Sequence, residues 1–84
     1  MNHLAAPDFW TAYDKLPISV RHVADKNFEL LKKNPFHPSL HYKKIGTQRS
    51  VRVGGGYRAL GVAIVGGVLW YWIGSHADYD RMIG

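Results

Sequence analysis

The sequence contains no cysteine. This absence excludes a disulfide framework, a thiolate metal site and a cysteine nucleophile, and it favours a protein of the reducing cytoplasm. The spacing of its histidines and carboxylates is not typical of a metal centre, so we expect neither a metal nor another cofactor. Its first residues lack the positive charge and apolar run of a secretory signal, so export is not expected.

Acidic residues are scarce as well. Six Asp and Glu residues stand against eleven Lys and Arg residues, which gives a formal net charge of +5. A basic domain favours polyanionic partners such as nucleic acid. Positive charge also serves solubility alone, so the motifs must decide between the two explanations.

Long hydrophobic runs are absent too. The most apolar stretch, residues 59–73, has fifteen uncharged residues, whereas a membrane-spanning helix needs about 20. Many of its residues are β-branched or aromatic, and Gly66-Gly67 lies near its centre, which is typical of two strands joined by a turn. We therefore expect a β-hairpin and no contact with a membrane.

At 84 residues the chain is expected to form one domain, residues 1–84. Its N-terminal half is typical of two helices. The first helix begins at Pro7-Asp8, where Asp8 can cap the free N–H groups, and Pro17 ends it. The second runs from about Ile18 to Lys33, because apolar residues recur there at spacings of three and four.

The C-terminal half has the composition and turns of a β-sheet. We predict four strands: residues 40–45, 49–53, 57–64 and 68–74, with turns at 46–47, 54–56 and 66–67. Connections this short favour antiparallel pairing. The expected fold is α+β, with an N-terminal helical hairpin packed on a four-stranded, mainly antiparallel twisted sheet.

A basic patch is predicted on this sheet. If residues 54–56 form a three-residue loop, Arg52 lies directly opposite Arg58, and like charges so placed favour a bound anion between them. Both side chains could instead extend into solvent. Lys43 and Lys44 lie on the preceding strand, where they either extend the patch or protect an edge strand from pairing.

The polar segment 74–80 follows the last strand directly. His76 there could act as a general acid or base, because imidazole exchanges protons near neutral pH. A histidine at a strand end is, however, more often an ordinary surface residue. The orientation of His76 depends on the last hairpin: a two-residue turn points it to the face opposite Arg58, and a longer loop lets the two converge.

Several segments together resemble the RelE/ParE toxins of type II toxin–antitoxin systems. They are NPFHPSL at 34–40, SVRV at 50–53, GYRALGV at 56–62 and WYWIGSHADYD at 70–80. The resemblance extends from about residue 9 to residue 83 and implies a helical hairpin on a twisted antiparallel sheet. It also implies a cytoplasmic toxin held in check by a cognate antitoxin in a hetero-oligomer.

In RelE-like members the implied activity is metal-independent cleavage of mRNA on the ribosome, which blocks translation. By position the resemblance implies catalysis by Arg58, His76 and Tyr79. It implies RNA or phosphate binding by Lys43, Lys44 and Arg52. The apolar tip of the last hairpin, residues 63–68, departs from the family pattern and is a candidate contact for an antitoxin or a second copy. The alternatives are a gyrase-poisoning toxin without nuclease activity and a non-enzymatic module that only binds an antitoxin.

Overall fold

A computed structural model describes residues 2–83. Its elements are, in chain order, β1 (Asn2–Ala5), α1 (Pro7–Tyr13), α2 (Ile18–Lys33), a 3₁₀ turn (Pro38–Leu40), β2 (Lys43–Ile45), β3 (Gln48–Val53), β4 (Tyr57–Ile64), β5 (Gly67–Ser75) and α3 (His76–Ile83). Within this part of the chain, no helix has both the length and the apolar character to cross a bilayer.

The expected α+β class is confirmed, but the sheet has five strands and not four. Strands β2 to β5 form the predicted antiparallel meander, and β1 pairs in parallel with the outer edge of β5, giving the order β1-β5-β4-β3-β2. The four residues of β1 are of mixed polarity and show no strand pattern of their own. Their pairing depends on a partner more than sixty residues away, where Trp70 Nε1 donates a hydrogen bond to Nδ1 of buried His3.

The core lies between one face of the sheet and the two N-terminal helices. Alternate residues of each strand reach this face, and the helices cover it with the apolar stripes that their spacing predicted. The buried cluster consists of Phe9, Leu16, Ala24, Leu31, Leu40, Val51, Val53, Ala59, Val68, Trp70 and Ile73. Burial of this face fixes which strand residues point away from it, and Arg52 and Arg58 are among them.

Helix α3 was not predicted. It begins within the polar segment 74–80, and Ser75 Oγ accepts a hydrogen bond from the backbone N–H of Asp78, as a helix-capping serine does. Tyr79 is its buried residue and packs on the sheet face opposite the core. The helix therefore covers the end of the sheet that carries Arg58.

Three local predictions were wrong. Ala6 is the N-cap of α1 and makes no side-chain hydrogen bond there, so Asp8 contributes only its charge in the first turn. The helix ends at Tyr13, before Pro17. Strand β2 begins at Lys43, because the fully buried Leu40 belongs to the 3₁₀ turn. The last hairpin turns at residues 65–66, with Ile64 opposite Gly67.

A bulge between β4 and β5 decides where the C-terminal segment points. Leu60 lies opposite Trp72 and Gly61 lies opposite Trp70, so Tyr71 is the extra residue on β5. An extra residue reverses the alternation of faces beyond it. A two-residue turn alone would have placed His76 on the face opposite Arg58. The bulge reverses this, and Arg58 pairs with Gly74 just before α3.

Candidate functional site

A cationic pocket of about 290 Å³ opens where the β3–β4 loop meets the start of α3. Its lining residues are His41, Lys43, Arg52, Gly55, Tyr57, Arg58 and His76. Three of them are always or normally cationic, two are histidines and none carries a carboxylate. A pocket of this composition favours an anion with several oxygen acceptors.

The predicted pairing of the two arginines is confirmed. Arg52 lies directly opposite Arg58, and the three-residue loop 54–56 joins their strands. Gly54 opens the loop with a φ of +61°, a conformation that glycine adopts without steric cost. The Nε of Arg52 donates to the carbonyl of Gly54 at 2.8 Å, so the loop holds one side of this guanidinium.

Arg58 is buried, with 5% of its surface exposed, and neutral groups hold it in place. Its Nε and Nη2 both donate to Ser50 Oγ, at 2.9 and 2.8 Å, and Nη2 also donates to the carbonyl of His41 at 3.3 Å. The ring of Tyr79 lies 5.0 Å from the guanidinium carbon, a cation–π contact. The guanidinium therefore has one fixed orientation before any ligand arrives.

Among residues 2–83, no carboxylate forms an ion pair with Arg52, Arg58 or Lys43. The ion pairs of this region join Lys32 to Glu29, His76 to Asp80, and Arg81 to Asp78, and none includes Arg52, Arg58 or Lys43. A buried charge normally has an ionic partner, because desolvation of a lone ion is costly. The unpaired guanidinium of Arg58 is the strongest sign that an external anion completes this site.

The two lysines separate. Lys43 pairs with Ser50 and lines the cationic pocket, whereas Lys44 pairs with Arg49 one position further along β2. Because neighbouring strand residues point to opposite faces, Lys44 lies away from the pocket. Its predicted role in binding RNA stays a prediction, and it requires a ligand that extends beyond the pocket itself.

His76 reaches the pocket from α3, whereas Tyr79 of the same helix is buried behind it and does not line the pocket. The backbone N–H of His76 donates to the carbonyl of Gly56 at 2.8 Å, which ties the start of the helix to the arginine loop. Its Nε2 lies 3.6 Å from a carboxylate oxygen of Asp80, and its ring stacks on Tyr79 at 5.8 Å between centroids. Tyr79 is only 4% exposed, and its buried ring packs against both Arg58 and His76.

Two residues of the site, Ser50 and His41, were not identified from the sequence. Ser50 lies diagonally across the strand pair from Arg58, two positions before Arg52, and long side chains reach such diagonal neighbours. That rule could have identified it. His41 follows the 3₁₀ turn and has a φ of +45°, unusual for a residue with a side chain; no local pattern in the sequence indicated this.

Comparison with solved structures identifies the fold. The chain is similar to a RelB–RelE antitoxin–toxin complex of Methanococcus jannaschii, with a TM-score of 0.75, 16% identity, and coverage of 96% of this chain and 99% of that chain. The isolated E. coli RelE toxin gives a TM-score of 0.64 at 14% identity, covering 98% and 97%. A copper-bound mutant toxin from Helicobacter pylori gives 0.64 at 15%, covering 93% and 97%.

No sequence-family model matches the chain, and no curated protein matches it. At identities this low, the likeness to solved structures is one of fold. The resemblance to RelE toxins drawn from the motifs is confirmed at that level.

Proposed function

We propose that this chain, which has the fold of the RelE toxins, is the toxin of a toxin–antitoxin pair and cleaves mRNA on the ribosome without a metal ion. The observation that carries this proposal is Arg58, a buried and fixed guanidinium with no carboxylate partner among residues 2–83, at the wall of a cationic pocket. The anionic oxygens of an RNA phosphodiester are suitable acceptors for such a group.

Cleavage at this pocket would proceed by attack of the ribose 2′-hydroxyl on the adjacent phosphate. Arg58 and Arg52 contribute fixed positive charge where the pentavalent phosphate gains negative charge, and Lys43 adds a third cation. Preorganised donors of this kind stabilise a transition state without having to reorient. His76 is the proposed proton-transfer group, with Asp80 beside it, and Tyr79 holds both Arg58 and His76 in place.

An acidic antitoxin is the proposed partner. The net charge of +5 and the open cationic pocket favour a partner segment rich in carboxylates, and the similar fold from Methanococcus jannaschii occurs in an antitoxin–toxin complex. A segment that folds as it binds can cover a large surface. Expression of the chain alone in the cytoplasm of a bacterial cell should arrest growth of that cell, and co-expression with the antitoxin should relieve the arrest. Harmless expression at a high level would contradict the toxin assignment.

The experiment that tests the activity uses purified chain and ribosomes programmed with a defined mRNA. The wild type should cut the mRNA, and EDTA should leave the rate unchanged where the ribosomes stay intact. Arg58→Ala should abolish cutting, and Arg58→Lys should restore little, because an ammonium cannot reproduce the planar group that Ser50 and the His41 carbonyl hold in one orientation. Arg81→Ala removes the same charge from an exposed position and serves as the matched control.

The other two functions are outcomes of the same design. A parallel gyrase supercoiling reaction distinguishes a gyrase poison, which would inhibit supercoiling and leave the mRNA intact. A non-enzymatic module would do neither and would still bind the antitoxin. Full growth arrest by a folded Arg58→Ala variant would refute the site as proposed here.

A further inference from the structure

Cleavage of RNA through its 2′-hydroxyl needs two proton transfers. One proton must leave the attacking 2′-oxygen, and another must reach the departing 5′-oxygen. A single imidazole that served both would have to move between opposite sides of the phosphorus. The arginines of the cationic pocket stay protonated and take no part in these transfers.

His41 lies at the cationic pocket together with His76 and the two arginines. It reaches the pocket from the turn before β2, whereas His76 reaches it from the first turn of α3. The two histidines therefore come from different elements around the same anion site. His41 is exposed to solvent, so a substrate can reach it.

The backbone of His41 is held in an unusual conformation. Its φ of +45° is one that residues with side chains seldom adopt, and it is the one non-glycine residue of the described chain with positive φ. Its N–H donates to the carbonyl of Pro38 at 3.3 Å, and its carbonyl accepts from Arg58 at 3.3 Å. Strain of this kind is concentrated at functional sites, where the surroundings fix a side chain for a task.

The charges around the two histidines differ. Nε2 of His76 lies 3.6 Å from the Asp80 carboxylate. His41 shares the pocket with Lys43, Arg52 and Arg58, and no carboxylate lines that pocket. This difference in neighbours is the reason for giving the proton-accepting role to His41 and the proton-donating role to His76.

We propose that His41 is a second catalytic residue of this site: it accepts the proton of the 2′-hydroxyl while His76 donates a proton to the 5′-oxygen. This proposal rests on the proposed ribonuclease function. The 2′-oxygen forms its bond to phosphorus as its proton passes to His41, and the bond from phosphorus to the 5′-oxygen breaks as His76 protonates that oxygen. The products are a 2′,3′-cyclic phosphate and a 5′-hydroxyl, and solvent returns both histidines to their starting states.

The test uses His41→Gly, since glycine keeps the carbonyl that binds Arg58 and adopts positive φ without strain. On programmed ribosomes we expect cleavage to fall by about 10²- to 10⁴-fold and free imidazole to restore at least part of the loss, because it can occupy the space of the missing ring. His22→Gln, at an exposed position on α2, is the matched histidine control and should cut like the wild type with or without imidazole.

A second substrate assigns the direction of proton transfer. In an mRNA whose scissile 5′-oxygen is replaced by sulfur, the leaving group needs no proton. This substrate should restore cleavage by His76→Ala and should not restore cleavage by His41→Gly.

Each other result overturns the proposal. Wild-type cleavage matched by His41→Gly within about threefold, or a loss that imidazole does not reduce, removes His41 from catalysis. Rescue of His41→Gly by the sulfur substrate reverses the assigned roles. A wild type that cuts no RNA removes the ribonuclease function itself, and that result is recognised before any variant is compared.

Discussion

Replacing Ser50 with alanine tests whether the buried guanidinium of Arg58 depends on this one hydroxyl. Ser50 is fully buried and accepts two of the hydrogen bonds of Arg58, at 2.9 and 2.8 Å. A hydrogen bond to a charged group contributes about 1.5–3 kcal/mol, and the loss of a partner leaves a buried donor unsatisfied. Taking the lower figure for each bond, we expect Ser50→Ala to reduce the free energy of unfolding by about 3 kcal/mol.

For a domain of this size, about 3 kcal/mol corresponds to a fall in Tm of about 12 °C or more. Urea denaturation followed by tryptophan fluorescence measures the change, with Ser19→Ala, an exposed serine on α2, as the matched control expected to stay within about 0.5 kcal/mol. Combining Ser50→Ala with Arg58→Met should recover most of the loss, because no buried charge is then left without partners. A cost below about 1 kcal/mol for Ser50→Ala, or no recovery in the double variant, would refute this account of Arg58.

His76→Ala should keep its fold and its antitoxin binding while cleavage per folded molecule falls by about 10²- to 10⁴-fold; an unchanged rate with a lower Tm would make His76 a structural residue only. Burial lowers the pKa of His3 below its ordinary 6.5, so just below that pH the unfolded chain binds more protons than the folded one. The free energy of unfolding should therefore fall as the pH drops below about 6.5. Urea titrations between about pH 7.5 and 5 measure this fall, and His3→Gln should lose most of it. Tyr79→Phe should leave cleavage within about threefold of the wild type and Tyr79→Ala should lower it by tenfold or more, because the ring and not the hydroxyl contacts Arg58; equal losses in both would favour proton transfer by the phenol.

Local patterns predicted much of the scaffold. Helix α2 has the predicted bounds, because its apolar spacing and the flanking prolines act within a few residues of one another. Strand β4 also has its predicted bounds, between two turns that contain glycine. The pairing of Arg52 with Arg58 followed from the length of one loop, and loop length fixes register in a hairpin.

Other features depended on distant partners and could not be predicted in this way. Strand β1 exists because β5 offers a free edge, and its sequence alone has no strand pattern. Helix α3 has a local serine cap, but its position depends on the burial of Tyr79 against Arg58, twenty-one residues earlier in the chain. The bulge at Tyr71 reverses the faces of β5. Gly61 lies at this register shift on β4, but a glycine inside a strand does not by itself show which residue of the neighbouring strand is the extra one.

The sequence by itself determined the composition of the site and its central pair: excess positive charge, two arginines in register across a hairpin, and a histidine after the last strand. These are local properties, set by residue type and by the geometry of one short loop. The tertiary structure decided that His76 and Arg58 meet at one pocket, that Lys43 joins them and Lys44 does not, and that Arg58 is held by Ser50, His41 and Tyr79. Those relations depend on strand register, a bulge and the packing of α3, and each of these is fixed only when the whole sheet is assembled.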